Sequence, residues 1–242
     1  QWRLMHIGAQ PVPKSLIRRW KQVFPHHDYD TNYGLSESTG PGCVHLGLEN
    51  IDHVGAIGVP GYRWECKVCS DAVGWLCVPD TGIDYPVVQG EDNSFYLDHG
   101  LDRESDPFGL PFLDCRCAGD FSGYTSVIYA HNFEGMLMFA PVGLYRDSSY
   151  MDSHRQGYLV TDKGRQEIEF FAYLTVPSDS PVYNTVFITD KDRREYAELL
   201  LRTAAYHSSV TAEELSAKNL VLLSTCTFEY DEARGVLAGF FK

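Results

Sequence analysis

Between residues 73 and 241 the chain breaks into short β-rich runs, each closed by a turn signal, and this spacing limits what it can fold into. The runs are VGWLCVP (73–79), DYPVVQG (84–90), LPFLDC (110–115), TSVIYAHN (125–132), GYLVTD (157–162), QEIEFFAYLTV (166–176), LVLLSTCTF (220–228) and GVLAGFF (235–241). DTGI divides the first two and KGR makes a hairpin turn between the fifth and sixth. About eight closely spaced strands favour a barrel or a sandwich. Two helices interrupt them. MLMFAPVGLY (136–145) is short and holds a proline, and DKDRREYAELLLRTAAYH (190–207) is amphipathic with an acidic start.

The chain has 242 residues, 44% of them hydrophobic, enough for a real core. Its net charge of −13 argues against a nucleic-acid partner. Residues 1–67 carry 7 Lys+Arg against 6 Asp+Glu, whereas residues 68–242 carry 13 against 27. Such a step predicts two segments of different origin, divided near residue 68. No apolar run reaches the length of a membrane span. The seven cysteines leave at least one thiol free if the others pair. Cys66 and Cys69 have metal or redox spacing but lack a second such pair, so neither a metal nor a cofactor is expected. Cys115 and Cys117 are expected to end a strand with both side chains on one face.

One thiol sits where chemistry is possible. Cys226 ends an apolar run, a short acidic turn follows, and Arg234 opens the next run. A free thiol has a pKa of about 8.5, so a nucleophilic cysteine needs a proton-transfer partner and an oxyanion donor. His131, at the end of SVIYAHN, is the best placed histidine. His99 and His154 lie in polar stretches, and His207 is expected to end a helix. Two bland readings remain open. Cys226 fits a small buried apolar residue, and Arg234 fits a surface ion pair with Glu229, Asp231 or Glu232.

LLSTCTFEYDEARGVLAG resembles the sortase signature, Leu-x-Thr-Cys on one strand with an arginine on the next, and SVIYAHN resembles the sortase histidine strand. VGWLCVPDTGIDYPVVQGEDNSFYLDHG is similar to the opening strands of class B, as is the helix-bearing insert at 177–207. One departure is Ala130, where the family usually has glycine. The resemblance covers about residues 70–242 and implies a mainly β fold, a sortase-like eight-stranded β-barrel with helices. It implies a cysteine transpeptidase that cleaves an Asn-Pro-x-Thr-Asn-like signal at threonine through a thioacyl-enzyme. Cys226 would be the nucleophile, His131 the proton donor and acceptor, and Arg234 the oxyanion and backbone ligand. By alternation Ser224 falls on the face of Cys226, placed to hydrogen-bond substrate. Thr225 beside it fits a substrate contact or an ordinary strand residue. Tyr183, in the insert that walls the class B groove, fits a substrate contact or an aromatic packed under the loop. The partners implied are secreted proteins with a C-terminal sorting signal and an amine of a peptidoglycan cross-bridge or a pilin. The expected location is the outer face of the cell membrane, where relatives are held by an N-terminal segment that this chain lacks.

LMHIGAQPVPKSLIRRW, YGLSEST and VGAIGVPG, all before residue 68, resemble a stretch of the adenylate-forming acyl-CoA synthetases. Tyr33, Gly34, Ser36 and Glu37 match that family's AMP- and Mg²⁺-contacting motif, and Gly8 and Ala9 resemble its adenine-side loop. The phosphate loop, the later aspartate motif and the catalytic lysine are absent. A 67-residue slice of a large α/β domain cannot close its own sheet. The segment is therefore expected to be a truncated, non-functional AMP-binding fragment, either a fused remnant or a chimeric product. A catalytically silent β-barrel binding module is the alternative for the whole chain, and an acyl-activating ligase a weaker one.

Overall fold

The computed structural model describes residues 4–7, 14–25, 28–33, 43–46, 59–60, 71–133 and 135–242. The chain divides into two units, Gln1–Val68 and Cys69–Lys242.

In the first unit, β1 (Leu4–Ile7) lies parallel to β2 (Asp28–Tyr33), with α1 (Lys14–Val23) between them in sequence. A parallel pair needs such a crossover. β3 (Cys43–Leu46) pairs antiparallel with β2, and β4 (Val59–Pro60) with β3. Gly8, Ala9, Gly34, Ser36, Glu37, Cys66 and Cys69 lie outside the described residues, and Tyr33 ends β2.

The second unit opens with β5 (Ala72–Val78) and β6 (Ile83–Val88), joined by the DTGI turn. Gly82 sits there at φ +82°, the left-handed region that glycine tolerates best, and Thr81 Oγ donates to Val78 O at 2.6 Å. Then follow β7 (Phe112–Leu113), β8 (Thr125–Tyr129), and the small hairpin of β9 (Asn132–Phe133) and β10 (Leu137–Met138). α2 (Ser148–Ser153), β11 (Gln156–Thr161) and β12 (Gly164–Pro177) come next. α3 (Asp190–Thr203), β13 (Tyr206–His207), α4 (Ala212–Ser216), β14 (Leu220–Cys226) and β15 (Ala233–Phe241) complete the unit.

The sheet order is β11-β5-β6-β7-β8-β14-β15-β12-β13, and β11 also pairs with β12. That second pairing closes eight strands into a barrel and leaves β13 appended outside the ring. β12 makes the closure possible. Its first half pairs with β11 and its second half with β15, and a bulge between Phe170 and Ala172 bends it between the two. The barrel is filled by Leu76, Val87, Ile128, Phe170, Leu223 and Leu237, all fully buried. α3 and α4 cover the outer face of β8, β14, β15 and β12 over Val127, Leu222, Val236 and Ala238. β14 is therefore buried on both faces, which is why LVLL shows no apolar–polar alternation.

Both helices differ from their expected form. The stretch 136–145 divides into β10 and a 3-10 helix, Ala140–Arg146, because Pro141 removes an N–H donor and Met136 and Met138 take positive φ. The second helix is α3, which Thr189 caps by accepting from the Asp192 backbone N–H. It ends at Thr203, so His207 lies in β13 and not at a helix end. Cys115 and Cys117 lie past β7 in a turn and line a common cavity of about 430 Å³.

Candidate active site

β14 and β15 pair antiparallel with Cys226 opposite Arg234. Residues directly opposite in such a ladder point to one face, with Cβ atoms about 4.5–5.5 Å apart. Alternation along β14 puts Leu220, Leu222, Ser224 and Cys226 on the outer face. Cys226 is exposed, unlike the buried apolar role left open for it. The Arg234 side chain is 28% exposed and contacts Glu232 Oε2 at 3.3 Å and Ala233 O at 3.1 Å. The surface ion pair considered from sequence is thus present, to Glu232, on a residue that also lines a cavity. The turn between the strands is tied down by Arg146, which pairs with Glu229.

His131 is placed by the parallel pairing of β8 with β14, which runs to Ser224 opposite Tyr129. Beyond β8 the contact continues residue by residue. Ala130 N donates to Ser224 O at 3.2 Å, Thr225 Oγ to Ala130 O at 2.8 Å, and Asn132 Nδ2 to Cys226 O at 2.9 Å. His131 is therefore bracketed by two residues bonded to the end of β14. Its Nε2 lies 2.7 Å from Leu97 O, and the Phe133 ring lies beside it at 5.1 Å. No direct hydrogen bond joins thiol and imidazole among the described residues.

The three other histidines of the second unit are held elsewhere. His99 stacks on Phe95, His154 stacks on Tyr150, and His207 Nδ1 meets Ser208 O at 2.7 Å.

Ser224 and Tyr183 meet, their hydroxyls 2.9 Å apart. Tyr183 sits in a 3-10 turn, Pro181–Tyr183, and burial pushes its hydroxyl up to about 12. Thr225 departs from the expected grouping. It faces the barrel interior, opposite to Ser224, and its hydroxyl is spent on Ala130 O. A cavity of about 470 Å³ opens beside Arg234, walled by Tyr183, Ser180, Asp179, Tyr129 and Arg116.

Under this groove lies a buried charge that sequence reasoning missed. Asp114 is fully buried and receives Arg116 Nε at 2.9 Å, Arg116 Nη2 at 2.7 Å and Tyr129 Oη at 2.9 Å. Burial alone would raise this carboxyl, but hydrogen bonds from Arg116, Asn93 and Tyr129 outweigh it and hold the group below its usual range. The Asp-x-Arg spacing in LDCRC was the available signal. Among the described residues no cluster of His, Cys, Asp or Glu could hold a metal, and no helix is long and apolar enough to cross a membrane.

Comparison with known proteins places this geometry. No family model matches the chain. Sortase B of Listeria monocytogenes is 32% identical over 176 residues, covering 72% of this chain and 70% of that protein. The solved structure of sortase B from Listeria monocytogenes superposes with a TM-score of 0.63 at 31% identity, covering 70% of this chain and 94% of that one. The closed eight-stranded barrel matches the fold of the solved sortase B structures. The chain belongs to the sortase B family. A separate likeness, 33% over 72 residues, links 30% of this chain to 13% of 4-coumarate–CoA ligase-like 9 of Arabidopsis thaliana.

Proposed function

We propose that the chain is a cysteine transpeptidase that cleaves an Asn-Pro-x-Thr-Asn-like sorting signal at threonine and joins the new end to an amine. The pairing of exposed Cys226 with Arg234 across the β14–β15 ladder carries this reading. Cys226 Sγ attacks the threonine carbonyl, and the C–N bond breaks to leave a thioacyl-enzyme. Arg234 holds the oxyanion that forms on the way, with a fixed charge and a planar fork of donors. His131 gives a proton to the leaving amine and then takes one from the incoming amine, which attacks the thioester carbonyl. A new C–N bond forms as the C–S bond breaks, and Cys226 leaves as the thiolate. With Nε2 directed at Leu97 O, Nδ1 is the nitrogen left for that exchange. Ser224 and Tyr183 line the substrate side.

The acceptor in this reading is a peptidoglycan cross-bridge or a pilin lysine, and the work is done at the outer face of the cell membrane. Residues 1–67 take no part, since a likeness to 13% of a ligase spans too little to form a complete adenylating site. The test is a sorting-peptide analogue with a thiol-reactive group at the threonine carbonyl. A mass increase confined to Cys226, lost in Cys226→Ala, is the expected result. Failure to label, or equal labelling of Cys77 and Cys115, would favour a silent binding module.

A further inference from the structure

The turn that carries Tyr183 is held by its backbone carbonyls. Tyr196 Oη donates to Val182 O at 2.6 Å, Arg116 Nη2 to Tyr183 O at 3.3 Å, and Thr125 Oγ to Asn184 O at 3.0 Å. Three successive carbonyls of an irregular segment are thus satisfied by side chains from three different elements. Val182 and Tyr183 are buried, where carbonyls of irregular backbone need protein partners, while Asn184 and the half-exposed Arg116 reach solvent. Tyr196 comes from α3 and Thr125 from β8. Arg116 is the one of the three that also faces the groove.

Arg116 has little freedom of its own. Its Nε and Nη2 grip the two oxygens of Asp114, and Asp114 also accepts from the Arg116 backbone N–H at 2.9 Å. A bidentate fork of this kind fixes both distance and plane. The Nη2 that completes it is the atom that reaches the Tyr183 carbonyl. On the other side of the same residue, the Tyr183 hydroxyl meets Ser224, two residues before Cys226. The chain of contacts runs from a fully buried carboxylate to the wall of the groove.

Resting on the transpeptidase reading, we propose that Arg116, aimed by Asp114, is a positioning residue for the substrate groove. It fixes the Tyr183 wall through the Tyr183 carbonyl and so sets the spacing between that wall and Arg234. It acts on how the peptide is held and leaves the reactivity of the thiol unchanged.

The experiment is steady-state cleavage of a sorting peptide by Arg116→Gln. KM rises about tenfold, the scale of one lost charge-assisted hydrogen bond, while kcat stays within about twofold. The rate of Cys226 alkylation by iodoacetamide does not change. Arg116→Lys does not restore KM, because one ammonium cannot span both Asp114 oxygens and the Tyr183 carbonyl. Thr125→Val frees the Asn184 carbonyl without touching Asp114. It raises KM in the same direction and combines with Arg116→Gln less than additively, since both loosen one turn. An unchanged KM in Arg116→Gln, a fall in kcat at constant KM, or full rescue by lysine overturns the proposal. If Arg116→Gln loses cooperative melting, Thr125→Val decides, with a raised KM in favour and an unchanged one against. If the unaltered protein cleaves no sorting peptide, the transpeptidase reading fails by itself. Hydrogen exchange at residues 181–184 then decides the wall, faster in Arg116→Gln if it is held as described and unaltered if not.

Discussion

Cys226 stands opposite Arg234, so the thiol and the guanidinium belong to one rung of one ladder. If Arg234 only pairs with Glu232, Arg234→Ala costs within about 1 kcal/mol of stability and leaves turnover intact. As an oxyanion donor its loss lowers kcat for peptide cleavage about 100- to 1000-fold at unchanged folding. Arg234→Lys recovers little of that, because lysine keeps the charge and loses the fork. Near-normal cleavage by the lysine variant would show that charge alone matters.

The rung is seated by the residue after the arginine. A Cβ built on Gly235 would lie 2.8 Å from the Tyr173 hydroxyl, which is buried and has no hydrogen-bond partner among the described residues. Gly235→Ala is expected to destabilise the barrel by about 1–3 kcal/mol, the usual cost of overpacking. Removing the obstructing hydroxyl should relieve it, so the Gly235→Ala, Tyr173→Phe double variant is more stable than Gly235→Ala alone. Urea unfolding of the three variants measures both effects, and additive losses would contradict the contact.

Two cysteines separate by burial. Burial pushes the Cys117 thiol up to about 11, while Cys226 is exposed. Iodoacetamide on the folded protein at pH 8 is expected to modify Cys226 and spare Cys117, read by peptide mass spectrometry. Stability follows the same shift. The folded state keeps the Cys117 proton when the unfolded chain has lost it, so unfolding free energy falls as pH rises from about 9 to 11. Cys117→Ala flattens that part of the melting profile, with Tyr124 and Tyr183, both pushed up to about 12, contributing higher in the range.

Asp114 works in the opposite direction. Its depressed carboxyl contributes stability that is complete above the unfolded value of about 3.9 and is lost as pH falls through the lower folded value. Asp114→Asn should remove this acid-side slope and lower Tm at neutral pH, since the Arg116 fork loses its charged acceptor. A Tm difference from the native protein that stays constant between pH 6 and pH 2 would contradict the assignment.

For the first segment, ATP–pyrophosphate exchange by the purified chain is expected to stay at background. Exchange above that of a boiled control would restore the ligase alternative for residues 1–67.

The strands were legible because local pattern sets them. The runs around 125–132, 157–162, 166–176 and 220–228 correspond to β8, β11, β12 and β14, and the turn residues DTGI and KGR separate strands where expected. Cys226 and Arg234 were legible through the resemblance of LLSTCTFEYDEARGVLAG to the sortase signature, and the β14–β15 register sets the two opposite each other. What escaped depends on distance along the chain. The Arg116–Tyr183 contact joins residues 67 apart, and the Asn132–Cys226 contact joins residues 94 apart. Neither has a periodic signature. Thr225 was grouped with Ser224 by adjacency, although the pleat of β14 sends neighbouring side chains to opposite faces. The short β9, β10 and β13 carry too few residues to show alternation.

The last strand of the barrel in sequence is not at its edge in space. β15 is inserted between β14 and β12. During synthesis from the N-terminus, the thiol of Cys226 is made before Arg234, and the sheet keeps an open gap until β15 arrives. β14 and β15 form a local hairpin, but the pairing of β15 with β12 reaches back across α3 and α4, and such distant pairings assemble late. Cys226 and Arg234 thus meet early, across the hairpin, while the barrel around them closes only when β15 docks on β12.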